Sequence, residues 1–198
     1  MDINTIYKEL INTYTEPSKT FKKQRKFSDG LLAVVLGSLV PAVILAIVFL
    51  IAGTAVGTLL VGMPLKSLIV GASALAGVVL AITVLIGIPI SSIINWLIAG
   101  AVLWIIGKII GGQVEIGDFL ARYGYLVGAV LLLAWIPIVN IIVLIYSLYL
   151  LYMLYKEGMK LDSTKAAIGV VIAIILAVII NTYVVSIFGT AGLIGLLK

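Results

Sequence analysis

Four stretches of the chain, 30–65, 67–107, 123–155 and 166–197, carry no formal charge. Within them apolar residues run almost continuously or recur at helical spacing, without the strict alternation and short turns of a membrane β-barrel. A helix needs about 20 apolar residues to cross a hydrocarbon core of roughly 30 Å. Each stretch therefore holds at least one crossing and the longer ones hold two. The pattern predicts an all-α, polytopic transmembrane bundle (30–198) behind a short polar segment (1–29).

Residue spacing sets the expected spans. The first runs from about Leu31 to Ala52, followed by a loop through Gly53, Gly57, Gly62 and Pro64. Ser67 to Lys108 would be roughly 60 Å as one helix at 1.5 Å per residue, twice the core thickness. A break at Pro89, with Ser91, Ser92 and Asn95 as caps or turn formers, divides it into Leu68–Ile88 and Ser91–Ile110. Ile116 to Lys156 divides in the same way at Trp135-Ile136-Pro137, giving a hairpin with arms 116–136 and 138–156. Ala166–Phe188, capped by Asp162 or Ser163, is the last span.

Length thus favours six spans, with five as the alternative if Pro137 only kinks one helix. Charge favours five. With the N-terminus inside, five spans put nine basic residues inside against four outside, and six spans put seven against six.

Ahead of the first span, Ile3, Ile6, Tyr7, Leu10, Ile11 and Tyr14 repeat at helical spacing among Asp2, Lys8, Glu9 and Asn12. This is a short amphipathic helix, suited either to the headgroup region or to packing on the bundle. Glu16-Pro17-Ser18 ends it, and Ser18 or Thr20 caps a second, basic helix through Phe27. Lys19, Lys22, Lys23, Arg25 and Lys26 then form a juxtamembrane cluster that places the N-terminus in the cytoplasm. The same cluster is a candidate contact for anionic lipid or for a partner protein. No groove-reading motif accompanies it, so nucleic acid is not an expected partner.

Composition narrows the chemistry. Hydrophobic residues make up 63% of the chain, and mean hydropathy is +1.31. Cysteine and histidine are both missing, which removes disulfides, thiolate or imidazole metal sites, thiol nucleophiles and imidazole acid–base catalysis. No phosphate-binding loop or nucleophile–base pair is present, and neither an enzyme nor a cofactor site is expected. The acidic residues all lie outside the apolar runs, which disfavours a proton or sodium carrier.

Neutral polar groups within the bundle are Thr83, Asn140, Asn181 and Thr182, either as interhelical hydrogen-bond formers or as part of a substrate path. Tyr146, Tyr149, Tyr152 and Tyr155 wrap part of one helix. Tyr152 and Tyr155 suit an interfacial belt, while Tyr146, about 14 Å deeper by helical rise, bonds within the bundle. Gly53-x-x-x-Gly57, Gly107-x-x-x-Gly111 and Gly124-x-x-x-Gly128 permit close helix approach, within the chain or between copies; oligomeric state stays open. The turn between the third and fourth spans gathers Lys108, Glu115, Asp118 and Arg122. It is either a self-neutralising connection with an Asp118–Arg122 pair or a grip for a phosphate headgroup or partner loop.

Several segments resemble the Yip domain family, the Ypt/Rab-interacting proteins. Glu16-Pro17-Ser18-Lys19-Thr20-Phe21 is similar to the "P-x-x-T/S-F" opening of its prokaryotic members. Asn95-Trp96-Leu97, the run to Gly111-Gly112, Phe119 and Tyr123-Gly124-Tyr125 resemble its third quarter. Ile145-Tyr146-Ser147-Leu148, Gly158 and Thr164-Lys165-Ala166 resemble its closing section. Val127-Gly128-Ala129 replace a proline common among relatives, and the eukaryotic "D-L-Y-G-P" signature is missing, so the resemblance is to a prokaryotic-type member. It implies a non-enzymatic membrane scaffold or adaptor in the cell membrane, linked in eukaryotic relatives to vesicle trafficking. The alternative is a small-solute or ion transporter using the neutral polar groups.

Overall fold

In a computed structural model, the backbone is described for residues 3–59 and 66–196, and side chains for 3–53 and 74–180. Asn181 and Thr182 fall outside the described side chains. Among the described residues seven α-helices follow one another: α1 (Ile3–Thr15), α2 (Pro17–Lys22), α3 (Phe27–Leu59), α4 (Lys66–Ile109), α5 (Ile116–Ala134), α6 (Pro137–Met153) and α7 (Ser163–Leu196). A π-helical turn, Leu154–Gly158, closes α6. Five of the helices, α3 to α7, are long and apolar enough to cross a membrane.

Five is the lower of the two expected counts, and it is reached by a different route. The hairpin at Pro137 forms. Ile136 is extended, Pro137 occupies the first turn of α6, where its missing N–H costs nothing, and the Ile136 N–H donates to the Leu133 carbonyl at 3.1 Å. The break expected at Pro89 does not form, and 68–88 and 91–110 are parts of one 44-residue helix. Apolar surroundings favour keeping every other backbone bond of α4, and a proline within a membrane helix costs less than exposing a whole helix end. Ser91 does not cap a new helix but donates to the Ile88 carbonyl at 3.0 Å.

Other boundaries also move. Helix α3 continues past Ala52 to Leu59 with Pro41 inside it. The basic helix stops at Lys22 instead of Phe27, and it starts at Pro17 with no side-chain cap. Helix α7 begins at Ser163 and reaches Leu196; Asp162 caps it, accepting from the Lys165 N–H at 2.9 Å.

Helices α3 and α4 form a long antiparallel pair. Phe27 meets Trp96 near one end, with ring centroids 5.1 Å apart, and Gly77 faces Phe49 and Gly53 toward the other. Helix α5 runs parallel to α3 at close range: Gly30 faces Ala121 and Gly124, and Gly37 faces Gly128. A Cβ on Gly128 would lie 2.7 Å from the Ala33 carbonyl carbon, so only glycine lets these backbones approach. Gly124-x-x-x-Gly128 is therefore an intrachain packing motif. Helix α6 returns antiparallel to α5, with the Phe119 and Tyr155 rings 6.4 Å apart. The Gln113 N–H donates to the Met159 carbonyl at 3.3 Å.

This order sorts the charges by height. Lys8, Lys19, Lys22, Lys23, Arg25, Lys26, Lys108, Arg122, Lys156, Lys160 and Lys165 all fall at the end where α3, α5 and α7 begin; they are eleven of the 13 basic residues. Glu9, Glu16, Asp29, Glu115, Asp118, Glu157 and Asp162, seven of eight acidic residues, lie there too. Keeping α4 continuous moves Lys108 and Arg122 to the same end as the N-terminus. The charge bias that favoured five spans is then met, while the 44-residue α4 remains longer than one crossing needs.

Candidate functional site at the charged end of the bundle

The N-terminal segment forms a fitted cap. Ile6 and Leu10 are fully buried against Ala33, Tyr125 and Ala129, while Ile3, Tyr7 and Ile11 face outward. Helix α1 thus has two apolar stripes, one on the bundle and one exposed. Its last turn is bonded in place: the Tyr14 hydroxyl donates to the Ala129 carbonyl at 2.6 Å, and the Tyr146 hydroxyl donates to the Tyr14 carbonyl at 2.8 Å. Tyr146 thus bonds to the N-terminal segment and not, as expected, within the 30–198 bundle. Burial, with Tyr146 alongside, pushes the Tyr14 phenol up to about 12.

The five basic cluster residues do not form one free patch. Arg25 is buried; it donates to Glu9 at 2.8 Å and to the Thr20 carbonyl at 3.3 Å, and its guanidinium lies 3.8 Å from the Tyr125 ring centre. Lys23 also pairs with Glu9. Burial pushes the Glu9 carboxyl up, but hydrogen bonds and positive charge from Lys23 and Arg25 outweigh it and hold the group below its ordinary value of 4.5. Lys22 lies 3.5 Å from Glu157 and Lys19 lies 3.2 Å from Glu16. Lys26 is exposed.

The polar-turn quartet also divides. Asp118 and Arg122 pair at 2.7 Å, and Asp118 accepts the backbone N–H of Arg25 at 3.4 Å. Arg122 is buried and also donates to the Gly158 carbonyl. Lys108 turns to the Trp104 ring at 5.6 Å, and Glu115 stands exposed at the start of α5. Asp118–Arg122 is thus a structural clamp joining α5 to the π-helical turn and to the residues before α3. Its reach to Gly158 and Arg25 is a long-range pairing that spacing does not encode.

One further aromatic assignment changes. Tyr155 is fully buried and donates to the Leu103 carbonyl at 3.0 Å, so it is a core residue, not part of an interfacial belt. Asn140 lies within the first turn of α6, where its backbone N–H donates to the Ile136 carbonyl at 2.8 Å. Thr83 bonds back to the Val79 carbonyl at 2.8 Å. Spacing also missed Lys156 and Lys160. Together with Lys22 and Arg122 they line a cavity of about 380 Å³ at the charged end. Placing all inside-facing lysines on one surface by charge count was the signal available. A separate apolar cavity of about 540 Å³ opens between α4, α6 and α7, with Asn95 and Tyr123 among its lining.

Long apolar helices with nearly all formal charge gathered at one end define a polytopic integral membrane protein with a structured polar face. The chain belongs to the Yip1 domain family, whose family model matches residues 11–192. Searches of curated proteins and of solved structures return no match.

Proposed function

We propose that this protein is a non-enzymatic membrane scaffold or adaptor, with its charged end in the cytoplasm of a prokaryotic cell and the N-terminal cap as its partner surface. The observation that carries this reading is the second stripe of α1. Ile3, Tyr7 and Ile11 are 62%, 48% and 50% exposed, although the opposite stripe of the same helix is fully buried. The cap is held rigidly by Arg25, Glu9 and Tyr14, and it presents apolar anchors beside Lys8 and Asn12. That is how a helix offers i, i+4, i+8 contacts to another protein. The concentration of basic residues at this end supports a cytoplasmic orientation. Deletion of the whole segment is a poor test, because Ile6, Leu10 and Phe21 are core residues.

A photocrosslinking residue placed at Tyr7 or Ile11 in native membranes tests the reading. Protein adducts are expected from these positions and not from Ile142, on the exposed face of α6. Adducts that are absent, or equally abundant from Ile142, would overturn it. The transporter alternative rests on Asn140 among the described residues. It predicts solute flux in liposomes that Asn140→Leu reduces.

A further inference from the structure

Lys22, Arg122, Lys156 and Lys160 come from α2, α5, the π-helical turn and the connection to α7, and they converge on the 380 Å³ cavity. Glu157 is its one acidic lining residue, and it is engaged with Lys22 at 3.5 Å. Among the described residues, Lys156 and Lys160 have no carboxylate within ion-pair distance. A second observation is independent of this charge count. The Arg122 side chain is 5% exposed, and two of its nitrogens are bonded to Asp118 and Gly158, yet its buried Nε has no hydrogen-bond partner. Buried polar groups are rarely left unpaired; among the described side chains this atom and the Nε of Arg25 are the two, and only Arg122 lines this cavity.

The backbone around the cavity is unusual in the same place. Lys160 has φ +58°, the left-handed region that glycine occupies without strain, and it is the one non-glycine residue with positive φ among those described. The helix before it widens into a π turn, a feature concentrated at functional sites. The π turn ends at Gly158, two residues before Lys160, and Arg122 holds the Gly158 carbonyl. An energetically costly backbone thus sits where two lysines join a buried arginine.

We infer that this cavity binds a phosphate group. Arg122, its charge paired with Asp118, supplies a fixed, buried N–H donor at Nε, while Lys156 and Lys160, with Lys22 shared with Glu157, surround the remaining oxygens as point charges. The cavity lies at the charged end of helices long and apolar enough to cross a membrane, where a phospholipid headgroup and a soluble phosphate present the same recognition chemistry.

The test uses the full chain in non-ionic detergent. Binding of dihexanoyl phosphatidic acid is measured by calorimetry, with dihexanoyl phosphatidylcholine as the zwitterionic control and inorganic phosphate as competitor. Saturable binding of phosphatidic acid is expected, at least tenfold weaker in the Lys156→Ala/Lys160→Ala double variant. It should be unchanged in Lys19→Ala/Lys26→Ala, which removes the same charge outside the cavity.

Displacement of phosphatidic acid by inorganic phosphate at similar concentration would identify a soluble phosphate as sufficient. Binding of the lipid that phosphate does not displace would identify a headgroup site that also uses the glycerol backbone. Lys160→Gly keeps the experiment independent of folding: it removes the amine while relaxing the backbone, so binding should fall with no loss in melting temperature. Equal weakening in both double variants, or no saturable binding, would overturn the proposal.

Discussion

The guanidinium of Arg25 lies 3.8 Å from the centre of the Tyr125 ring, fastening the segment before α3 to the middle of α5. The same side chain satisfies Glu9 at 2.8 Å, so one arginine connects α1, α5 and the entry to the first span. Arg25→Ala should destabilise the protein by about 3 kcal/mol, the lower end for breaking a buried pair, because Lys23 remains to neutralise Glu9. Arg25→Lys should recover only part of this, since an ammonium lacks the planar fork that can stack and pair at once. Thermal unfolding in detergent checks the ranking, and protease cleavage near Thr15 should rise in the same order.

The sign of the pH response follows from Glu9. Its carboxyl is held below 4.5 in the folded protein by Lys23 and Arg25, so the unfolded chain binds the proton more readily. The stabilisation is complete above pH 4.5 and is lost as pH falls through the folded value. Acidification below about pH 4.5 should therefore release α1 before the apolar bundle opens. Glu9→Gln should shift this transition out of the acid range and lower stability at neutral pH. Protection of the α1 amides from hydrogen exchange, followed from pH 7 to pH 3, measures it.

Glycine positions separate packing from propensity. A Cβ on Gly128 would meet the backbone of Ala33, which cannot rotate away, and would force α3 and α5 apart. Gly128→Ala should cost about 3 kcal/mol or more, the upper end for overpacking. Gly87 has nothing within 4 Å of such a Cβ, so Gly87→Ala should be neutral or stabilise α4 by up to about 1 kcal/mol. Melting temperatures of the two variants in one detergent should move in opposite directions.

What the sequence made legible was the local chemistry. The Pro137 turn, the Asp162 cap, the Asp118–Arg122 pair and the Gly124–Gly128 contact surface each depend on residues a turn or less apart. Pro89 misled because a proline reads the same whether it starts a helix or sits inside one; what decides is the company its backbone keeps. At Pro137 the preceding Ile136 is extended and its N–H is already bonded to Leu133. At Pro89 the flanking turns remain helical. The Glu9–Arg25 pair was invisible for another reason: it spans a helix, a tight turn and a second helix, and no periodicity links its members. The phosphate cavity draws on four segments and could be assembled only once the topology was known.

That topology makes the sharpest prediction about Pro89. The chain has no cysteine, so single substitutions can be labelled without background. If α4 were two spans joined at Pro89, residues 90–92 would stand at an aqueous surface opposite Lys66, and Ser92→Cys would react with a membrane-impermeant maleimide. In a continuous α4 the same residue lies within the apolar run, 17 residues before Ile109, or roughly 25 Å along the helix, and it should be unreactive until the membrane is dissolved. Gln113→Cys, at the charged end, should react from the same side as a cysteine at Lys8. Trp135→Cys, in the α5–α6 turn, should react only from the other side. Labelling of Ser92→Cys in intact membranes, or of Gln113→Cys from the side opposite Lys8→Cys, would restore the six-span arrangement and remove the basis for gathering Lys22, Arg122, Lys156 and Lys160 at one surface.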